Sequence, residues 1–274
     1  NIKIYWCLIS QECWKLRMDK KRIAQSFSNA ANTYDQHAQL QRDVCDQLLT
    51  QFDIQNVESI LDIGCGTGFG VKQLHAKYHA QNNVTINAVD LAPKMVEYAK
   101  QQAPFATYQC ADAENLPFAE NQFDLIISSL ALQWLEDIDQ ALSEISRCLK
   151  KGGQAWVATL GEQTLFELKQ SWQSVDGNTH VNAFHNIQMW QKSAVNQGLN
   201  IEVIEEQRIL QYKTVIDLAK DLKGIGAHNV NQEKNTGLTG KRKLQSLQKS
   251  YEMLRENQTL PATYQVIYIK ISAL

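Results

Sequence analysis

The sequence predicts an α/β chain: a doubly wound, mostly parallel sheet of seven strands with an antiparallel last strand and a helical lid. Three observations carry that expectation. Ser59-Ile60-Leu61-Asp62-Ile63-Gly64-Cys65-Gly66-Thr67-Gly68 is an apolar run that stops at alternate glycines, the pattern of a strand feeding a ligand loop. Val84-Thr85-Ile86-Asn87-Ala88-Val89-Asp90 repeats the strand, ends in a carboxylate, and hands over to a helix opened by Leu91, Pro93 and Met95. Phe123-Asp124-Leu125-Ile126-Ile127-Ser128-Ser129-Leu130 is almost continuously apolar, as expected of a central parallel strand buried on both faces.

Taken in order, Met18 to about Phe52 is helical, with Ile23, Phe27, Ala30 and Ala31 on one face and Leu40, Val44, Leu48 and Leu49 on another. The polar stretch Tyr34 to Gln41 lies between two helices, and Tyr34 either is a satisfied half-buried residue or reaches a ligand. Past the first strand, Gly64, Gly66 and Gly68 permit positive φ and let N–H groups approach a ligand. The helix from about Phe69 to Tyr78 points its positive end at the same space. The spacing excludes a P-loop, because no Lys follows Gly68 or Gly70, and a dinucleotide fingerprint, because Phe69 and Val71 stand where its third glycine belongs.

Asp90, at the end of the second strand, suits paired hydrogen bonds to two ribose hydroxyls. The third strand, about Ala106 to Cys110, leads to Asp112, an acceptor suited to the exocyclic amine of adenine. Loop and carboxylates together predict a nucleoside site. The fourth strand delivers Ser129 and then Ala131-Leu132-Gln133-Trp134 to the carboxyl end of the sheet, where doubly wound folds bind ligands. A helix from Glu136 to Leu149 is expected to stop at Lys150-Lys151-Gly152-Gly153, and Gln154 to Leu160 to form the fifth strand. Helices continue to about Gln197. Ile201 to Tyr212 and Ala262 to Ile269 both alternate and predict strands six and seven, forming an antiparallel edge, with a helical insert from Thr214 to Asn257 between them.

With 274 residues, 44% of them hydrophobic, the chain can bury a core without staples. A net charge of -2 argues against nucleic acid as the main partner. The six cysteines are scattered without a C-x-x-C pair and read as reduced thiols of a cytoplasmic protein. His75 and His79 share a helix face but lack the Glu of H-E-x-x-H, so no metal is expected. The opening apolar stretch is too short to span a membrane, and no membrane association is expected. Met18-Asp19-Lys20-Lys21-Arg22 reads as a start, which makes residues 1–17 an expected upstream extension and 18–274 one domain: helical cap 18–53, core 57–160, and lid helices at about 161–199 and 214–257.

The series Leu61-Asp62-Ile63-Gly64-Cys65-Gly66-Thr67-Gly68, Asp90, Asp112-Ala113 and Phe123-Asp124, with the glycine stop before strand five, resembles the Rossmann-like class I methyltransferases that use S-adenosylmethionine. That resemblance implies S-adenosylmethionine as cosubstrate: the glycine loop (Asp62, Gly64, Cys65, Gly66, Gly68) at its methionine moiety, Asp90 at the ribose, and Asp112 and Ala113 at the adenine. Tyr34, Leu91, Met95, Ser129, Gln133 and Trp134 complete the expected cofactor set. A narrower likeness runs through Ile23 to Asp35, Leu40-Gln41, Leu130 to Trp134, Leu222-Lys223-Gly224-Ile225-Gly226-Ala227 and Gly237-Leu238-Thr239-Gly240. In these segments the chain resembles the malonyl-acyl-carrier-protein O-methyltransferases of biotin synthesis. The Asn-rich stretch Asn229 to Asn235 departs from that pattern.

The resemblance implies transfer of a methyl group to the free carboxylate of a malonyl group on an acyl carrier protein. A carboxylic acid ionises near pH ~4 and so needs no general base at neutral pH. No catalytic residue is therefore assigned. Lys223, His228 and Lys241 are the candidate partners of that carboxylate, each with a solvated surface position as the alternative. Lys241, Arg242, Lys243 and Lys249 lie on a helix whose Leu244, Leu247, Tyr251 and Leu254 are expected to face inward, leaving a basic face either for an acidic carrier or for solvent. A quinone-pathway C-methyltransferase, a methyltransferase of small free acids, and a non-catalytic S-adenosylmethionine-binding module are the alternatives.

Overall fold

The computed structural model describes residues 19–79, 84–178, 180–227 and 241–273. The expected extension 1–17 lies outside them. Three helices come first: α1 (Lys20–Ala30), a single turn α2 (Tyr34–His37) and α3 (Gln39–Thr50). Asp19 starts α1 by accepting a hydrogen bond from the Arg22 N–H, which satisfies one of the donors a helix start leaves open. The polar segment expected between two helices is thus itself one helical turn.

The sheet is built from β1 (Ser59–Ile63), β2 (Thr85–Asp90), β3 (Thr107–Cys110), β4 (Phe123–Ser129), β5 (Leu149–Leu160), β6 (Leu199–Tyr212) and β7 (Leu260–Ala273), in the spatial order β3-β2-β1-β4-β5-β7-β6. The first five run parallel, and β7 lies antiparallel to both neighbours. Helices α4 (Phe69–Tyr78), α5 (Pro93–Gln102) and α6 (Ile138–Cys148) follow β1, β2 and β4. The sheet buries both faces: Ile60, Leu125 and Val266 belong to one apolar cluster, and Leu61, Ile126 and Ile267 to the other. Alternation along each strand sends neighbouring residues to opposite layers. Helices α7 (Phe166–Asp176), α8 (Ile187–Asn196), α9 (Val215–Gly224) and α10 (Lys241–Glu252) complete the chain. No described helix is long and apolar enough to cross a membrane.

Strands six and seven form the expected antiparallel edge: β7 is inserted between β5 and β6 and buried along nearly its whole length, and β6 lies outermost with alternating exposure. One expectation is corrected. Lys150 to Gly153 do not form a helix stop. They belong to β5, where the register against β4 shifts between Phe123 and Leu125. Gly152 takes φ +82°, and a Cβ on Gly153 would stand 3.0 Å from the carbonyl oxygens of Lys150 and Phe123. The glycines therefore serve a bulge in the sheet.

Candidate methyl-donor and acyl site

At the carboxyl ends of β1, β2 and β4 the chain encloses a cavity of about 100 Å³. Gly64 and Gly66 form its floor, and their N–H groups are placed by hydrogen bonds that tie the loop to β2. Gly64 N and Cys65 N donate to the Val89 carbonyl at 2.8 and 3.0 Å, and Gly66 N donates to Asp90 Oδ2 at 2.9 Å. Gly64 is required twice over. Its φ is +77°, and an added Cβ would lie 2.1 Å from Ala131 Cβ, in the segment that follows β4.

Asp90 lines the same cavity, with Oδ1 accepting from Ala92 N at 2.8 Å. Burial raises its carboxyl above the usual range, although the N–H groups of Ala92 and Gly66 pull the other way. Asp112 and Ala113 lie along this wall with Leu91 and Met95, and Ser129, Trp134 and Tyr34 complete the predicted residues found there. Burial, then Asp90 and Asp35, raise the Tyr34 hydroxyl well above its ordinary range, so it stays a donor. The Ser129 Oγ is buried without a hydrogen-bond partner.

A smaller cleft of about 50 Å³ continues behind the loop and shares Tyr34, Gly64, Gly66 and Ser129 with the first cavity. Asp62 and Cys65 are here. Asp62 is 3% exposed, and burial, followed by the charge of Asp90, raises its carboxyl to about 7 with no hydrogen bond to offset the cost.

A second large cavity, about 330 Å³, adjoins the first through Phe27, Tyr34, Leu130 and Trp134, which line both. Leu130 holds φ +50°, unusual for a residue with a Cβ, and is fixed there by its N–H bond to the Ala158 carbonyl at 2.8 Å. The second cavity is walled by apolar residues of α7, α9 and α10, among them Leu168, Trp172, Leu218 and Leu247. No Asp or Glu lines it among the described residues.

Several predicted residues stand elsewhere. Gln133 lines the second cavity instead of the first: its Nε2 donates to the Leu130 carbonyl at 2.7 Å, and its Oε1 is buried without a partner. Gly68 lines none of the three cavities. It starts α4 at φ +88°, and a Cβ there would lie 3.3 Å from Ala99 Cβ on α5, so its smallness serves packing. Lys223 is exposed and lines no cavity. The close packing in this segment belongs to the flanking glycines: a Cβ on Gly224 would meet the His37 ring at 2.2 Å, and one on Gly226 would meet the Ser26 carbonyl oxygen at 3.1 Å.

His228 and the side chain of Lys241 lie outside the described residues. On α10, Leu247 and Tyr251 are buried, whereas Leu244 is 38% exposed at the cavity edge. Lys243 pairs with Asp176 at 2.9 Å, so that part of the basic face is engaged within the chain. Asp124 acts away from the cavities. Its Oδ2 accepts from Ser59 N, Ser59 Oγ and Lys150 Nζ and ties the starts of β1, β4 and β5 together. Burial opposes its ionisation, but Lys150 and Ser59 outweigh that and hold the carboxyl below its usual range.

Two residues not expected at the site line it. Lys20 Nζ lies 2.6 Å from Asp112 Oδ2 and 2.8 Å from Glu114 Oε2 across the first cavity. Phe27 meets Trp134 edge-on at 5.3 Å. The spacing Lys20, Ile23, Phe27 is one stripe of α1 and is the signal the sequence offers for them.

A methyltransferase domain model matches residues 61–157, the stretch holding the glycine loop, Asp90 and β4. The malonyl-acyl-carrier-protein O-methyltransferase of Hahella chejuensis is 40% identical over 251 residues, covering 91% of this chain and 89% of that protein. The chain belongs to the malonyl-acyl-carrier-protein O-methyltransferase family. The biotin biosynthesis bifunctional protein BioHC of Cellvibrio japonicus is 44% identical over 255 residues, which make up 92% of this chain and only 50% of that protein. Among solved structures, YcgJ from Bacillus superposes with a TM-score of 0.59 at 18% identity, covering 84% of this chain and 98% of that one. At that identity the likeness speaks for the fold. The matched stretch runs from β1 into β5, with α1–α3 before it and α7–α10, β6 and β7 after it.

Proposed function

We propose that this chain methylates the free carboxylate of a malonyl group carried on an acyl carrier protein, using S-adenosylmethionine, as a step of biotin synthesis. The observation that carries the reading is the shared wall of the two large cavities: a polar nucleoside-type cavity and a larger apolar one meet at Phe27, Tyr34, Leu130 and Trp134. The residues of the first cavity and the cleft suit the methyl donor. Asp90 offers a carboxylate to ribose hydroxyls, Gly66 leaves open space where a Cβ would stand, and the buried Ser129 Oγ suits a polar contact. The raised, uncompensated Asp62 suits a cationic α-amino group. Leu91, Met95, Asp112 and Ala113 would hold the adenosine, Asp112 once it shares its carboxylate with Lys20.

When bound, S-adenosylmethionine supplies a methyl group already activated by its sulfonium. The chain's own residues then have three tasks. Tyr34, Leu130 and Trp134 hold the two ligands edge to edge, which turns a bimolecular encounter into a local one. The apolar walls of α7, α9 and α10 exclude water. The absence of Asp and Glu among the described residues of the second cavity keeps like charge away from an anionic nucleophile, which is ionised at neutral pH without a base. The four described cysteines are free thiols, which suits the cytoplasmic setting of this reading.

Initial rates with malonyl carrier protein, free malonate and a quinone precursor test the proposal. The expected result is turnover of the carrier-bound malonyl group with the other two far behind; preference for either small molecule would overturn it.

A further inference from the structure

Among the described residues lining the second cavity, His180 is the one whose side chain can carry a positive charge. Its ring is held from two directions. It stacks on Trp172 with centroids 3.7 Å apart, and Nε2 lies 2.9 and 3.1 Å from the two carboxylate oxygens of Asp176, at the end of α7. Asp176 is fixed in turn. Oδ2 accepts from Lys243 of α10 at 2.9 Å and Oδ1 from Asn178 N at 3.1 Å. Lys243 foremost, then His180, hold the Asp176 carboxyl far below its usual range. Lys243 and an imidazolium at His180, set against the single carboxylate of Asp176, sum to one positive charge beside a cavity whose apolar walls screen it little.

We propose that His180 is the counter-charge by which this cavity selects a carboxylate-bearing acyl thioester over an uncharged one. The assignment rests on the functional reading above and adds to it the residue that recognises the anion. Taking a carboxylate out of water into an apolar cavity is costly unless a cation or donors receive it, and the described walls otherwise offer neutral groups only. Asp176, itself held by Lys243, and the Trp172 ring fix a single imidazole in the cavity wall. Asp176 also couples the site to α10, because the same carboxylate joins that helix to the cavity wall.

The test is calorimetry on the full chain saturated with S-adenosylhomocysteine, titrated with malonyl-pantetheine and acetyl-pantetheine. The wild type should prefer the malonyl thioester. In His180→Gln that preference should fall by roughly tenfold to a hundredfold, the range of a lost charge-assisted interaction, with S-adenosylhomocysteine affinity unchanged. His180→Lys should restore most of it, and in kinetics the Gln variant should raise KM with little change in kcat. A Gln variant that keeps the preference places the counter-charge elsewhere and overturns the assignment. So does one that loses S-adenosylhomocysteine binding as well, since His180 would then be needed by the fold. A wild type that binds neither thioester overturns the functional reading and this assignment together.

Discussion

Asp62 and Asp90 lie on neighbouring strands, and burial raises the carboxyls of both, yet their surroundings differ. Asp90 receives N–H groups from Gly66 and Ala92, whereas Asp62 rises from 3.8 to about 7 with nothing to offset its burial. A carboxyl raised in the folded state keeps a proton that the unfolded chain has released. Its contribution to stability is therefore complete below 3.8 and is lost as pH rises to about 7. For Asp62 the full swing is about 4 kcal/mol. Asp62→Asn should lack this decline, so urea melts between about pH 4 and about pH 8 should show a flatter profile than wild type. An unchanged slope would mean that Asp62 is not paying for its charge. Asp90→Ala should abolish measurable S-adenosylmethionine binding, since each charge-assisted bond to a ribose hydroxyl contributes on the order of 1.5–3 kcal/mol. Calorimetry giving wild-type affinity would remove Asp90 from the site.

At the scale of elements, the end of α9 is clamped to the N-terminal helices. His37 Nδ1 lies 2.7 Å from Asp221 Oδ1, Ser26 Oγ donates to the Gly226 carbonyl at 2.8 Å, and Thr33 Oγ1 donates to the Gly224 carbonyl at 3.1 Å. Gly224→Ala would push a Cβ into the His37 ring, so it should loosen α9, raise KM for the acyl substrate and speed proteolysis near residue 224 while leaving S-adenosylhomocysteine affinity near wild type. Equal loss of both affinities would show that α9 is integral to the cofactor cavity. This clamp also explains what the sequence could and could not tell. The glycines of the segment Leu222 to Ala227 point to close packing, but sequence alone does not say which neighbour a glycine admits: Gly224 packs on the His37 ring, and Lys223 beside it is exposed. The start of α4 was legible because the glycine loop ends in Gly68, whose left-handed backbone leads into the helix. The place of β7 was not, because insertion between β5 and β6 is a long-range pairing that local alternation does not encode.

At the scale of the whole molecule, the strand-end carboxylates and the glycine loop converge as read, since every parallel strand delivers its carboxyl end to the same side of the sheet. The second cavity was not legible. It is assembled from α7, α9, α10 and β7, far apart in sequence and each explicable alone as core packing. Its junction with the first cavity is the feature on which the proposed methyl transfer to a carboxylate rests. The measurement that bears on it most closely is the intact mass of malonyl carrier protein after incubation with the chain and S-adenosylmethionine, followed by alkaline release of the acyl group and analysis of the products. The expected result is a carrier one methyl group heavier whose hydrolysis frees methanol and malonate. A carrier of unchanged mass, or a hydrolysate in which the methyl group stays on the carbon of the diacid, would contradict it.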